Sequence, residues 1–333
     1  MHSFIFNSSC TRWWKAGLLA AAVWLCCVLS YERYLRELGH RPTVVDSQQL
    51  WSQERQRANS STAIVFAGAS RTLYGIDLGT VSKIFPGATP VMLALNGRYP
   101  IATLEHLAHD PEFRGTLLLD VDARGLAQHN WGAQLPANRY FAEEWTPNWA
   151  AHRRVLSLLQ DDFAAFNPRL GLLNMIKHWL GAGRSPFIAH DSLNSAREGS
   201  LNFELVNAMA LANSFKDGLE QDLKSHPPLP ADEWLESLAP VKNWVAAIER
   251  RGGRVIFYVP PVSGHQLELA MSAYPVTAYW QRFIQHYELD GWHFTQDVNI
   301  QRIRLPDDSH VSAHMKSEYT ATLLASLSNA SLL

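Results

Sequence analysis

The feature that most constrains the fold is a series of short apolar runs, each separated from the next by a stretch of helical periodicity. Ala63-Ile64-Val65-Phe66 lies in the first, which predicts a strand over 62–67. The others fall at 90–95 (Pro90 to Leu95), 115–121 (GTLLLDV), 254–259 (Arg254 to Val259) and 292–296. Continuous runs of this length belong to strands buried on both faces, and their alternation with helices is the pattern of a parallel sheet between two helical layers. Helices are expected at 77–85, 100–109 and 232–251, the last closed by Gly252-Gly253 as a stop signal. The stretch between 121 and 254 is too long for a simple crossover. Its helical periodicity, at 142–160 and 168–181 among others, predicts a helical insertion at about 124–231. Within it Leu170, Leu172, Leu173, Met175, Ile176, Trp179 and Leu180 make an apolar segment. The expected reading is packing against the core, and the alternative is a surface helix resting on a membrane.

Residues 16–31 carry no charge, and Trp13 and Trp14 extend the stretch at its front. That is slightly short of the ~20 residues that span a bilayer, a difference that tilt or local thinning absorbs. A cleaved signal peptide would need a small-x-small site, but Ser30-Tyr31-Glu32-Arg33 follows Leu29. Val23-Trp24-Leu25 before Cys26 is a poor lipoprotein site. The expectation is a short tail (1–12), an uncleaved anchor (13–31) and a stalk helix or linker (32–61), with a domain over 62–330. A cleaved signal and a buried helix are the alternatives. Arg12 and Lys15 precede the segment while Arg33, Arg36 and Arg41 follow it, so charge does not set its orientation. All three cysteines lie at or before Cys27, and a thiol-free remainder suits an oxidising compartment. The net charge of −2 without a basic tract gives no footprint for nucleic acid. Twelve tryptophans suit apolar-polar boundaries, such as a membrane interface or a carbohydrate platform.

Two short segments carry chemistry. Gly68-Ala69-Ser70-Arg71 directly follows the first strand, and Asp307-Asp308-Ser309-His310 precedes the last helical stretch. Both would lie at the carboxyl end of the sheet, where open parallel sheets bind ligands. A serine hydroxyl becomes a nucleophile when a base takes its proton, and His310 is the natural base for Ser70. Asp307 would orient the imidazole and stabilise its charged form, with Asp308 adjacent. Each segment alone reads more readily as a helix cap. Their pairing, order and context resemble the SGNH (GDSL-type) hydrolases. Asp110-Pro-Glu-Phe-Arg-Gly115, Pro260-Pro261-Val262-Ser263-Gly264 and Tyr279-Trp280 sharpen the resemblance to a membrane-anchored bacterial subgroup, over about 62–330.

The resemblance implies a three-layer α/β/α, flavodoxin-like parallel sheet, and acyl chemistry on an ester or a glycan hydroxyl. Its relatives include proteins that acylate cell-surface polysaccharides, such as the alginate acetylation proteins. It assigns Ser70, His310 and Asp307 as the triad, by the family's Asp-x-x-His spacing. The N–H groups of Ser70 and Gly97, the latter in Leu95-Asn96-Gly97-Arg98, become the oxyanion donors. Where the family carries Gly-x-Asn-Asp, this chain ends its third strand Leu119-Asp120-Val121-Asp122-Ala123-Arg124, with no asparagine. A lost oxyanion donor costs about 2.7–4 kcal/mol of transition-state stabilisation. Arg71, Asn96 or Arg98 would have to compensate, and Arg71, Asn96, Arg98 and Asp122 are candidates for substrate contact. The implied protein is a serine esterase or O-acyltransferase of the bacterial inner membrane, with its domain in the periplasm. The short tail also favours an outward-facing domain. Its substrate would be an acyl ester or an envelope glycan, other polysaccharide-modification proteins are candidate partners, and no organic cofactor or metal is required. Two other classes remain: an inactive SGNH-like domain that binds glycan or scaffolds an assembly, and a metal site at His310 and His314, spaced i and i+4 near Asp307 and Asp308.

Overall fold

The computed structural model describes residues 10–181 and 188–333. They fall into two units, one built from residues up to 43 together with 158–189, the other from 44–157 and 190–333. In chain order the helices are α1 (Cys10–Glu37), α2 (Gln48–Arg57), α3 (Ser70–Gly75), α4 (Leu78–Ile84), α5 (Ile101–His109), α6 (Leu135–Glu143), α7 (Pro147–Asp162) and α8 (Leu172–Trp179). They continue as α9 (Ala208–Ser225), α10 (Ala231–Ser237), α11 (Ala239–Glu249), α12 (Gly264–Ala273), α13 (Trp280–Tyr287), α14 (Val298–Gln301) and α15 (Lys316–Asn329).

The larger unit is built on five parallel strands: β1 (Ala63–Ala67), β2 (Thr89–Met92), β3 (Thr116–Asp120), β6 (Arg254–Val259) and β7 (Gly291–His293). Their spatial order is β2-β1-β3-β6-β7. Taken as the first to fifth sheet strands this is 2-1-3-4-5, a doubly wound order whose switch point lies beside β1. A short antiparallel hairpin, β4 (Asp191–Leu193) with β5 (Gly199–Leu201), lies within the insertion and has no counterpart in the sequence reading. Every residue of β1 is buried, and Leu117, Leu118 and Leu119 of β3 are fully so, as strands covered on both faces require. Phe66 and Leu118 stand opposite each other in the register. Truncating a core leucine such as Leu118 to alanine costs about 2–5 kcal/mol.

Several boundaries differ from the sequence reading. The strand expected at 292–296 closes at His293, whose imidazole accepts the Thr295 N–H and caps a 3₁₀ turn over Phe294–Gln296. The helix expected at 232–251 is two helices, α10 and α11, broken at Leu238 because Pro240 opens α11 and has no N–H to continue the ladder. The stalk expected at 32–61 does not exist as one element. Residues 48–57 form α2 inside the larger unit, with Leu50, Trp51 and Arg55 fully buried. Its polar composition concealed this because the buried charge is paired: Arg55 bonds Asp110 and Asn59, and Glu54 takes Arg57 at 2.6 Å.

The smaller unit carries α1, the end of α7 and α8. The window of α1 from Trp13 is long and apolar enough to cross a bilayer, and none of it is buried, which removes the buried-helix alternative. Of the expected tail at 1–12, residues 1–9 lie outside the described residues, and α1 begins at Cys10. Leu35 of α1 packs with Ala164, Leu170 and Met175. Tyr31 donates to the Leu170 carbonyl, Glu32 accepts the Ala165 N–H, and Trp179 donates to the Tyr34 hydroxyl. So residues 32–37 serve as a packed base for this unit. Segment 168–181 packs against a core only in part, through Leu170 and Met175. Met175 is buried, but Leu172, Leu173, Ile176, Trp179 and Leu180 are exposed.

Candidate active site

The turn that presents Ser70 is set by a close approach. Gly68 leaves β1 so near β3 that a β-carbon would stand 2.7 Å from Asp120 Cβ and from Thr72 Oγ1, so no other residue fits. Asp120 accepts the Ala69 N–H and the Thr72 hydroxyl at 2.8 Å, and the Tyr258 hydroxyl donates to Thr72 at 2.5 Å. A hydrogen-bonded chain to the ends of β3 and β6 thereby anchors the start of α3, whose first residue is Ser70. Burial pushes the Asp120 carboxyl up, opposed by the Arg71 charge and the Thr72 hydroxyl.

Ser70 Oγ lies 2.8 Å from His310 Nε2, and His310 Nδ1 lies 2.8 Å from Asp307 Oδ2. The carboxylate accepts a hydrogen bond from Nδ1–H, which leaves Nε2 as acceptor for the serine hydroxyl. Asp307 Oδ1 also accepts the N–H of His310 at 2.7 Å and of Ser309 at 3.1 Å. Asp307 is fully buried, which alone would raise its pKa. The hydrogen bonds and charge of His310, with those backbone N–H groups, hold it below the usual carboxylate range instead. Asp308 is excluded from this role. It turns away at φ +65°, its carbonyl and carboxylate taking the N–H and hydroxyl of Ser263 at 2.9 Å each. The imidazole is flanked by Tyr74 at 6.2 Å and Phe215 at 5.3 Å between ring centres.

A cavity of about 340 Å³ opens in front of Ser70 and His310. Asn96 and Gly97 line it, from the turn whose Leu95 N–H bonds the Gly68 carbonyl. Gly97 has φ +67°, a left-handed conformation that favours glycine. Among the described residues, no protein acceptor takes the N–H of Ser70 or of Gly97.

The candidates for substrate contact separate here. Arg71 lines the cavity, but its guanidinium spans Asp120 at 3.4 Å and Asp122 at 3.2 Å. Burial would lower its pKa, and the two carboxylates more than reverse that. Asp122 also lines the cavity and accepts the Gly125 N–H at 2.8 Å. Burial would raise it, while Arg71, Arg124 and that N–H hold it low, so it stays ionised and paired. Asn96 reaches Tyr74 Oη at 3.3 Å and stays exposed at the rim. Arg98 is exposed and does not line the cavity, which corrects its assignment as a contact residue.

The i, i+4 histidine reading also fails, because His310 sits in a loop, His314 in a 3₁₀ turn bonded to Ser312, and α15 starts at Lys316. Another cluster of metal-ligand type is His129, Asp222 and His226, where Arg124 donates to Asp222 Oδ2 at 2.9 Å and Asn130 meets His129 Nε2 at 3.0 Å.

Among the lining residues that escaped the sequence reading are Phe215 and His293. Phe215 comes from the insertion, 95 positions before His310 (310 − 215), with no local signal. His293, at the end of β7, is buried, and its pKa is pushed down to about 4, mainly by burial. Because Nδ1 accepts the Thr295 N–H, the neutral ring carries its proton on Nε2. No protein-family model matches the chain, and no curated protein is significantly similar to it.

Proposed function

We propose that the protein is a membrane-anchored serine esterase or O-acyltransferase of the SGNH type. The observation that carries this reading is the hydrogen-bonded series Ser70–His310–Asp307, with both links at 2.8 Å, at the mouth of a cavity. Ser70 Oγ attacks the ester carbonyl while its proton passes to His310 Nε2. The carbonyl oxygen becomes an oxyanion held by the N–H groups of Ser70 and Gly97. The ester C–O bond then breaks and the leaving alkoxide takes the proton from His310. Water or an acceptor hydroxyl gives a proton to His310 and attacks the acyl-serine, which releases the product and restores Ser70. Asp307 keeps the proton on Nδ1 and stabilises the transient imidazolium.

The missing asparagine is not replaced by Arg71, which is committed to two carboxylates. Two oxyanion donors remain, so the reading includes slower chemistry than a three-donor site gives. The inactive, scaffold reading draws on the same deficit. The free serine–imidazole bond counts against it, since a purely structural serine has no need of an oriented base.

The anchor α1 and the exposed apolar side chains of α8 fit a single-pass protein of the bacterial inner membrane with its larger unit in the periplasm, acting on an envelope glycan or a similar acyl ester. Alkaline extraction of membranes should leave the full chain in the pellet; its release would refute the anchor.

The deciding experiment is labelling of the full chain with a fluorophosphonate, followed by peptide mass spectrometry. Modification at Ser70 that is lost in His310→Ala supports an activated nucleophile. A folded chain that stays unlabelled sinks the enzyme reading and leaves the scaffold reading in its place.

A further inference from the structure

The walls of the cavity are larger and more apolar than an acetyl group needs. Phe215 and Leu219 of α9 face it, together with Val262, Met271, Val276 and Trp280. The charged groups that reach it are spoken for: Arg71 by Asp120 and Asp122, Arg124 by Asp222, and Asp122 additionally by the Gly125 N–H. A sugar ring would bring several hydroxyls into this space, each in need of a polar partner, and an unpaired buried hydroxyl is costly. An alkyl chain has no such requirement.

Size can be taken from two directions. At about 30 Å³ per atom-sized group, a share taken from liquid water, a volume of about 340 Å³ holds roughly ten heavy atoms. The cavity also runs across the carboxyl edge of the sheet, since it is lined by Ser70 after β1 and by His293 at the end of β7. Those strands are three places apart in the order β1-β3-β6-β7. At roughly 4.8 Å per strand, that is about 14 Å. An extended chain advances about 1.2 Å per bond, taking ~3.5 Å for the three bonds of a residue. The span therefore also accommodates on the order of ten bonds.

The geometry points to a medium-chain acyl group, about eight to ten carbons long, as the acyl part of the ester that Ser70 attacks. This rests on Ser70 being the nucleophile, and it narrows the substrate from acyl esters in general to lipid-like ones. Phe215, packed on the His310 ring, is the wall that the first carbons of the chain meet.

The test uses the full chain in lipid nanodiscs, which avoid a detergent tail competing for the cavity. Nitrophenyl esters with acyl chains from two to twelve carbons are compared by kcat/KM. The expected result is a rise of about threefold to fourfold per methylene to a maximum near eight to ten carbons, then a fall. Leu219→Trp, which fills the cavity, should move the maximum to shorter chains. A maximum at acetyl, or a flat profile, overturns the inference even when fluorophosphonate labels Ser70. The two readings are separated by decanoate binding to Ser70→Ala, followed by displacement of a fluorescent fatty acid. Binding without labelling of the natural chain overturns the nucleophile and supports the acyl cavity. Labelling without binding does the reverse.

Discussion

Two neighbouring parts of the cavity floor contain similar residue types and do opposite things with them. On one side, Asp307 and His310 form a directed series that ends on a serine hydroxyl open to the cavity. On the other, Arg71, Asp120 and Asp122 close on each other, and Thr72 and Tyr258 complete the network. The first leaves a polar atom available to a ligand at its end. The second leaves none, and its role is to hold the turn that carries Ser70. A charged residue that lines a cavity is thus a candidate for ligand contact only after its own partners have been counted. The comparison also explains how a chain whose third strand ends without an asparagine can hold the Ser70–His310–Asp307 series: Asp120 and Gly68 support the turn that carries Ser70 independently of the N–H groups of Ser70 and Gly97.

The largest effect expected is on the reactive side. Ser70→Ala or His310→Ala should lower ester turnover on the order of 10⁴-fold or more, with the melting temperature nearly unchanged. Substantial residual turnover in either variant would dissolve the contrast. Asp307→Asn should cost on the order of 10³–10⁴-fold in kcat by presenting the wrong tautomer, whereas Asp308→Asn should leave kcat close to that of the natural chain. Equal losses in the two would mean that the spacing had been misassigned.

On the structural side, Arg71→Met leaves the buried Asp120 carboxylate without its cation and should cost about 3–5 kcal/mol of stability, read from the denaturant midpoint. The double change Arg71→Met with Asp122→Asn should recover part of it. If Arg71 instead bound substrate, the single variant would raise KM and leave the midpoint in place.

The smallest effect concerns pH. Burial is the main cause that pushes His293 and His106 down to about 4. Between about 6.5 and that value the unfolded chain binds protons that the folded chain does not, so stability is full above about pH 6.5 and declines as pH falls through the window. Thermal scans should show this decline, and His293→Gln should flatten it. A stability that rises on acidification would contradict the buried, neutral state of both rings.

The fold class and the triad were legible because each rests on local pattern. Apolar runs such as 115–121 declare buried strands through their own residues, and the Asp-x-x-His spacing places a carboxylate within reach of an imidazole on one turn. Asp307 and Asp308 are a finer case. Spacing favoured the first, and the left-handed backbone at Asp308, tied to Ser263, shows where the second goes.

What stayed hidden depends on residues far apart in the chain. The burial of α2 was masked by its charges, because Arg55 meets its carboxylate 55 positions away in Asp110. The exposure of α8 ran against its composition, since apolar content predicts that a face will be covered but not by what. Sequence alone determined where the strands of the parallel sheet lie and which side chains could form a proton relay, since those follow from backbone propensity and short-range spacing. Tertiary structure decided which charges cancel, which apolar walls meet over Ser70 and how large the space between them is. Those are properties of contacts among α9, α12 and the ends of the strands, and no local stretch of chain encodes them.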